Sequence, residues 1–255
     1  MTGRTALLMT ATIAPTVTMA GTARIDSNLR RQDYMMAFLA YLAMPRSPER
    51  ILFCENSDAD LDDFRRAALD NNPFGKQVDF LSFQSQTPSN RGKGFAELDI
   101  LDRTHEEFFR TDPDGSQPFI WKVTGRLVVP NFEQMVLTAP PTFDLYADFR
   151  SVPLIGERLG GNDWMDTRLF AYTPRGYERY LYQCKQGVGW TIEKSLYDRL
   201  RPRLSKDTAI VPRFRSQPLF NGVCGGSAVD YGSVGSRLKL AVRSVARSVV
   251  PSLWL

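Results

Sequence analysis

The sequence predicts an α/β fold, a single mixed, mostly parallel sheet flanked by helices. Three observations carry this expectation. Strand and helix signals alternate through the first half of the chain, the pattern of a sheet with helical crossovers. At 255 residues the chain can bury a core large enough for one α/β domain, with or without an appendage. Its composition, 43% hydrophobic and 24% charged, is that of an ordinary globular protein, and no apolar run is long enough to encode a transmembrane helix.

Residues 6–13 read as the first strand. Arg4, the apolar stretch behind it and small residues at Ala20 and Ala23 have the outline of a secretory leader, but Thr5, Thr10 and Thr12 dilute it and Pro15 breaks it. Residues 33–44 place Tyr34, Phe38, Tyr41 and Leu42 at helical spacing and stop before Pro45. Residues 50–54 form a second strand, and 58–69 a helix whose first turn is rich in Asp, as the helix dipole favours. Residues 78–84 are the third strand, 95–109 a helix and 119–129 the fourth strand. The second half is less regular. Residues 142–149 and a short piece over 169–172 read as strands, 176–184 and 192–201 as helices, and 221–235 as a Gly- and Ser-rich loop before a C-terminal helix.

Composition also removes several kinds of chemistry. The three cysteines, Cys54, Cys184 and Cys224, stand far apart without paired spacing, which suits reduced thiols in a cytosol better than disulfides or a zinc site. With a single histidine, His105, neither a histidine-rich metal site nor a Ser-His-Asp triad is expected, and its charged surroundings place it on a solvated helix face. The net charge of +4 is matched by Arg237, Lys239, Arg243 and Arg247 in a C-terminal segment that has no acidic residue. The rest of the chain is therefore balanced, and nucleic acid is not an expected partner.

Four stretches could carry chemistry. Lys122-Val-Thr-Gly-Arg126 puts two cations in an otherwise apolar strand, which is costly unless they meet an anion. A bound diphosphate would supply one, and so would an internal carboxylate such as Glu97 or Asp148; spacing leaves both open. Arg91-Gly-Lys93-Gly94 opens a helix, where glycines and unpaired amides make room for a phosphate, but the loop lacks the spacing of a Walker motif. Asp163-Trp-Met-Asp166-Thr-Arg168 sets carboxylates and an arginine beside an aromatic residue. Glu193 stands in the first turn of a helix, where an acid compensates the dipole or serves as a general base.

Taken in order, these strands, the Gly-Lys-Gly helix, the Lys-x-Thr-Gly-Arg strand, the Asp166-Thr-Arg168 segment and the Ile-Glu193-x-x-Leu helix resemble a family of bacterial capsule and O-antigen glycosyltransferases. The resemblance spans about residues 5–230, and Asn-Gly-Val-Cys-Gly-Gly-Ser-Ala-Val-Asp-Tyr at 221–231 is among its more specific motifs. It implies a GT-A-like domain over 1–235, with a nucleotide-binding half to about 130 and an acceptor half beyond. The implied activity is transfer of a sugar from a nucleotide-sugar donor to a hydroxyl of a lipid-linked or growing surface glycan. Glu193 falls where inverting members of the class keep an acid. Lys122, Arg126, Lys93 and Gly94 are expected at the donor diphosphate, with Thr10, Glu55 and Asn56 at strand ends beside the nucleotide. Asp163, Asp166 and Arg168 are expected in the donor or acceptor pocket. Where the wider class carries a metal-binding Asp-x-Asp, this strand carries Lys122 and Arg126, so no cofactor is expected and fixed cations replace the metal; manganese and magnesium stay open. Two alternatives remain: a sugar nucleotidyltransferase, and a non-catalytic membrane-bound scaffold of the same fold.

Residues 236–255 read as a basic amphipathic helix. Leu238, Val242, Val245 and Val249 fall on one stripe, Lys239, Arg243 and Arg247 run along its flank with Arg237 at the start, and Trp254 lies near the end. Like charges four residues apart repel within an isolated helix, whereas an anionic lipid surface attracts each by ~1 kcal/mol. A cytoplasmic protein resting on the inner face of the membrane is the resulting expectation, with a docking or dimer helix as its rival. Deleting residues 235–255 should leave a folded protein that no longer co-sediments with anionic vesicles, and binding by the full chain should fall with salt over a Debye length of ~8–10 Å. Unchanged vesicle binding after the deletion would refute the membrane role.

Overall fold

The computed structural model describes residues 5–15, 25–86, 88, 91–110, 118–151, 162–187, 189 and 191–222. They form one seven-stranded sheet between two helical layers. Strand β1 (Thr5–Ala11) is buried along its whole length. It pairs in parallel with β2 (Arg50–Glu55) on one side and β4 (Phe119–Thr124) on the other, and β2 pairs in parallel with β3 (Gln77–Ser82). Beyond β4 lies β6 (Trp164–Tyr172), antiparallel to both β4 and β5 (Leu145–Arg150); β7 (Ile210–Val211) closes the far edge, parallel to β5. The order is β3-β2-β1-β4-β6-β5-β7. The α/β architecture expected from the sequence is thus present, with β6 alone running against the other described strands.

A parallel strand covered on both faces needs apolar side chains at every position, because alternate residues enter different layers. Ala-Leu-Leu-Met at 6–9 meets that need. Ala6 and Leu8 enter one core with α3 (Lys93–Phe108), α5 (Pro174–Tyr180) and α6 (Ile192–Leu204). Leu7 and Met9 enter the other with α1 (Ser27–Leu42), α2 (Asp62–Asp70) and α4 (Phe132–Thr138). This second core is aromatic-rich: Phe53 contacts Tyr34, Phe38, Phe64 and Phe80 at centroid separations of 4.5–6.3 Å. Offset and edge contacts of this kind add to the area buried.

Several boundaries differ from the sequence expectation for local reasons. Helix α1 starts at Ser27 because the Asp26 side chain accepts from the Leu29 amide at 3.0 Å, an N-cap lying before the apolar pattern begins. Strand β6 is nine residues long instead of a short piece, since Asp166, Thr167 and Arg168 continue the strand although they are polar. Helix α4 and the two-residue β7 are too short to leave a periodic signal. His105 is corrected outright: it is 1% exposed, packed against Tyr177 and Tyr182 at 5.0 and 5.6 Å, with Nε2 3.2 Å from Glu178. Its acidic sequence neighbours suggested solvent, but α5 and the turn after it cover that face. The basic C-terminal segment, Cys224 and most of the 221–235 loop lie outside the described residues; among those described, no helix is long and apolar enough to cross a membrane.

Gly176, in the first turn of α5, lies against the backbone where β5 begins. A Cβ there would overlap the Asp144 carbonyl, while Thr173 caps the helix by accepting from the Gly176 amide at 3.0 Å. Gly176→Ala should lower stability by about 1–3 kcal/mol, since backbone cannot move aside as a side chain can. Gly187→Ala, with nothing within 4 Å of its new carbon, should change stability by under about 0.5 kcal/mol. Denaturant midpoints compare the two, and equal midpoints would show that the α5–β5 junction yields.

Candidate active site

The chain order places a switch point beside β1: β2 and β3 extend the sheet to one side of it, and β4 lies on the other. Crossovers leave in opposite directions there, which opens a crevice at the carboxyl ends of the strands. A cavity of about 70 Å³ occupies this place. Thr10, Ala11 and Thr12 at the end of β1 and Thr124 and Arg126 at the end of β4 form part of its wall. Lys93, Glu97 and Ile100 of α3 and Arg30 and Tyr34 of α1 complete it. The chain turns tightly after β4 because the Gly125 amide donates to Thr10 O at 2.9 Å, and a Cβ on Gly125 would come within 2.7 Å of that oxygen.

The charged residues expected at a diphosphate separate into two groups. Lys93, at the first turn of α3, and Arg126 both line the cavity. Lys122 does not. Its side chain is wholly buried, and its ammonium donates to Glu97, to Thr167 O at 2.5 Å and to Thr124 Oγ1 at 3.3 Å. Of the two anions that spacing left open for this lysine, the internal carboxylate Glu97 is the one the fold supplies, because Lys122 lies on the sheet face that α3 covers. Gly94 is buried where α3 meets α6: a Cβ there would lie 2.7 Å from Ile192 Cβ.

Close contact between α3 and α6 brings Glu193 toward this corner. It accepts from Thr167 Oγ1 at 3.3 Å, and its pKa is raised, first by burial and then by the negative charges of Glu97 and Asp166, with Lys93 pulling the other way. A carboxyl poised in this way titrates closer to neutrality than an exposed glutamate and is suited to take a proton. Asp166 would also be pushed up by burial, but Arg168, bonded to it at 2.5 Å, holds it below the usual carboxylate range. Arg168 also lies over the Phe220 ring at 4.4 Å. Asp163 sits apart at the start of β6, with φ +54° and a hydrogen bond from Ser151 Oγ at 2.8 Å.

Glu55 and Asn56 brace the cavity from behind and are absent from its lining. Buried Glu55 accepts from the amides of Ile13, Ser57 and Ala59 at 2.8–3.0 Å, pinning the loop after β1. Asn56 accepts from Thr12 Oγ1 at 2.7 Å and donates to Ala96 O of α3 at 3.2 Å. Among the described residues, no three His, Cys, Asp or Glu side chains are grouped to hold a metal ion. Burial pushes the Cys54 thiol up to about 12 and that of Cys184 to about 11, so neither is a nucleophile near neutral pH.

Sequence reasoning missed Arg30 and Tyr34 as cavity residues. Arg30 Nε donates to Thr12 O at 2.6 Å, and the Tyr34 hydroxyl accepts from the Thr12 amide at 3.1 Å and from Arg30. Tyr34 was visible only as part of an apolar helix face, and Arg30 lay outside the predicted helix. Their spacing of four residues inside α1 was the available signal.

Fold and site together define an α/β protein with a cation-rich cavity at the switch point of its sheet and a half-buried acid nearby. No described protein family matches the chain, and no curated protein does. Two solved structures are similar at 11% identity. HddC from Yersinia pseudotuberculosis aligns over 95% of this chain and 99% of its own, with a TM-score of 0.39. A candidate glucose-1-phosphate thymidylyltransferase from Bacillus anthracis, in complex with sucrose, aligns over 96% and 95%, with a TM-score of 0.45.

Glu193→Gln should stabilise the fold in a pH-dependent manner. A carboxyl whose pKa is raised on folding contributes no penalty below its unfolded value; the penalty grows as pH rises through the folded value and is then complete. The variant and the parent should therefore melt at similar temperatures near pH 4, while the variant gains as pH rises toward neutrality. A constant difference across that range would remove the evidence for a raised pKa.

Proposed function

We propose that the chain is a nucleotide-sugar-dependent glycosyltransferase that inverts the anomeric centre, with a hydroxyl of a lipid-linked or growing glycan as acceptor. The observation that carries the reading is Glu193, a half-buried acid of raised pKa that lies outside the lining of the cavity but feels the charges of Lys93 and Glu97, which with Arg126 and Arg30 are part of it. In this scheme Glu193 takes the proton from the acceptor hydroxyl as its oxygen bonds to the sugar's anomeric carbon. The bond from that carbon to the donor phosphate breaks on the opposite face, and the nucleoside diphosphate leaves with its charge met by Lys93, Arg126 and Arg30. Lys122 has a different part from the one expected of it, holding Glu97 in place rather than touching phosphate. Asp166 and Arg168, tied to each other, suit the acceptor side of the site.

Nucleotidyl transfer to a sugar phosphate would use the same cations. One of the solved structures named above bears a name from that chemistry, but a TM-score of 0.45 lends it no weight in the choice. A sugar phosphate attacks through an oxygen that is already anionic and needs no base, whereas a hydroxyl does. The raised pKa of Glu193 therefore favours the hydroxyl acceptor.

Product analysis separates the two. Incubation with nucleotide-sugars and a glycan or glycolipid acceptor should release nucleoside diphosphate, and Glu193→Gln should keep donor affinity while lowering turnover by about 10²–10⁴-fold. Pyrophosphate released from a nucleoside triphosphate and a sugar phosphate would establish the alternative instead. Turnover of the variant near that of the parent would remove Glu193 as base, and the inversion argument with it.

A further inference from the structure

Glu97 presents an unusual combination: an acid among the basic residues of an anion site. It lines the cavity from the second turn of α3, and 20% of its side chain is exposed. Oε1 is anchored by the Lys122 ammonium and lies 3.5 Å from Thr10 Oγ1, whose single proton it shares with Val123 O. Oε2 has no hydrogen-bond partner among the described residues. Glu97 lines the cavity and keeps part of its side chain exposed, so Oε2 is open there to water or to a ligand. Here one oxygen is anchored and the other is left for something else.

We infer that Glu97 is a ligand-binding residue whose Oε2 accepts a hydrogen bond from a ring hydroxyl of the nucleotide-sugar. The inference rests on the function proposed above. Two features make an acid tolerable and useful at this point. Lys122 balances its charge from beneath the cavity, so Glu97 does not cancel the attraction that Lys93, Arg126 and Arg30 exert on phosphate. Lys93 and Glu97 are also one helical turn apart on the same face of α3, about 5–6 Å between their Cβ atoms. A phosphate held at Lys93 and the first turn of the helix would put the neighbouring ring and its hydroxyls one turn deeper, beside Glu97. A fixed carboxylate accepts from hydroxyls and repels phosphate, so it sets the direction in which the ligand lies. The cavity, about 70 Å³, has the volume of roughly two water molecules, enough for a hydroxyl-bearing edge while the remainder of the ligand lies over the rim.

Two rings could supply the hydroxyl, the ribose of the nucleotide and the sugar to be transferred, and binding measurements distinguish them. A thermal-shift panel of UDP-, GDP- and CDP-sugars selects the nucleotide. Calorimetric titrations then compare the parent protein with Glu97→Gln and with the double variant Glu97→Gln, Lys122→Met. The single variant places an amide where the acceptor oxygen stood; the double variant removes both buried charges, so neither is stranded if the single variant unfolds. The probes are inorganic pyrophosphate, the nucleoside diphosphate, its 2′-deoxy form and the intact nucleotide-sugar.

Pyrophosphate affinity should fall in neither variant, rising in the single variant, where the Lys122 charge is left unbalanced, and staying within about two-fold in the double one, while affinity for the hydroxyl-bearing ligand should fall by about 10–100-fold relative to pyrophosphate, the worth of a hydrogen bond to a charged group. A loss seen with the diphosphate but absent with its 2′-deoxy form assigns the hydroxyl to the ribose. A loss confined to the nucleotide-sugar assigns it to the transferred ring. Equal affinity of parent and variants for every nucleotide that the parent binds would overturn the inference and leave the proposed function intact. An equal loss for pyrophosphate would also overturn it, since the variants would then have damaged the anion site as a whole. If the parent binds no member of the panel, the nucleotide-sugar reading falls, and this inference with it.

Discussion

Lys122 places an ammonium group inside the sheet with none of its surface in contact with solvent, and the corner around the cavity is organised to satisfy it. Its partners come from three elements: Glu97 from α3, Thr167 O from β6 and the hydroxyl of Thr124 at the end of its own strand. A buried charge stripped of its partner costs about 3–5 kcal/mol, so the helix and both strands are held in register by a penalty for parting. This geometry sets α3 against the sheet at the switch point. It also fixes the Thr10 hydroxyl, which shares Glu97 and donates to Val123 O at 3.3 Å.

A second constraint sets how closely α3 and α6 approach. Gly94 lets the first turn of α3 rest on Ile192, and that contact carries the first turn of α6, with Glu193, to the same corner. The acid is consequently half-buried near two other carboxylates, and its raised pKa follows from that placement. Thr167 joins the two constraints, its carbonyl accepting from Lys122 and its hydroxyl donating to Glu193. A substitution at any one of these residues is therefore expected to be felt at the others, and single-mutant effects here should not add.

The opposite wall follows a different logic. Glu55 is buried and gathers backbone amides from two loops, while Asn56 ties Thr12 to α3. Sites held to sub-ångström tolerance need such support behind the residues that touch the ligand. Arg30 and Tyr34 then close over the end of β1 from α1, on the side opposite α3. A ligand at the cavity would meet cations from α1, α3 and the β4 turn, and one acid, Glu97, from α3.

The sequence by itself determined the architecture: apolar strands separated by amphipathic helices admit few arrangements other than a covered, mostly parallel sheet, and β1 to β3 lie within two residues of their patterns, while β4 starts as expected and ends at Thr124, short of the expected 129. It also singled out Lys93, Arg126 and Glu193 from charge and position alone, and Lys93 and Arg126 do line the cavity. What it could not decide was which charges meet. Lys122 and Arg126 stand in one motif, yet one side chain is sealed against Glu97, 25 residues earlier, and the other lines the cavity. Glu55 and Asn56 sit at a strand end, the usual address of a ligand contact, and brace the wall instead. His105 has charged neighbours in sequence and tyrosines in space. Local pattern sets which face of a strand or helix is apolar, whereas the partner of a buried polar group is chosen by packing between elements far apart in the chain. Only the tertiary structure brings those elements together.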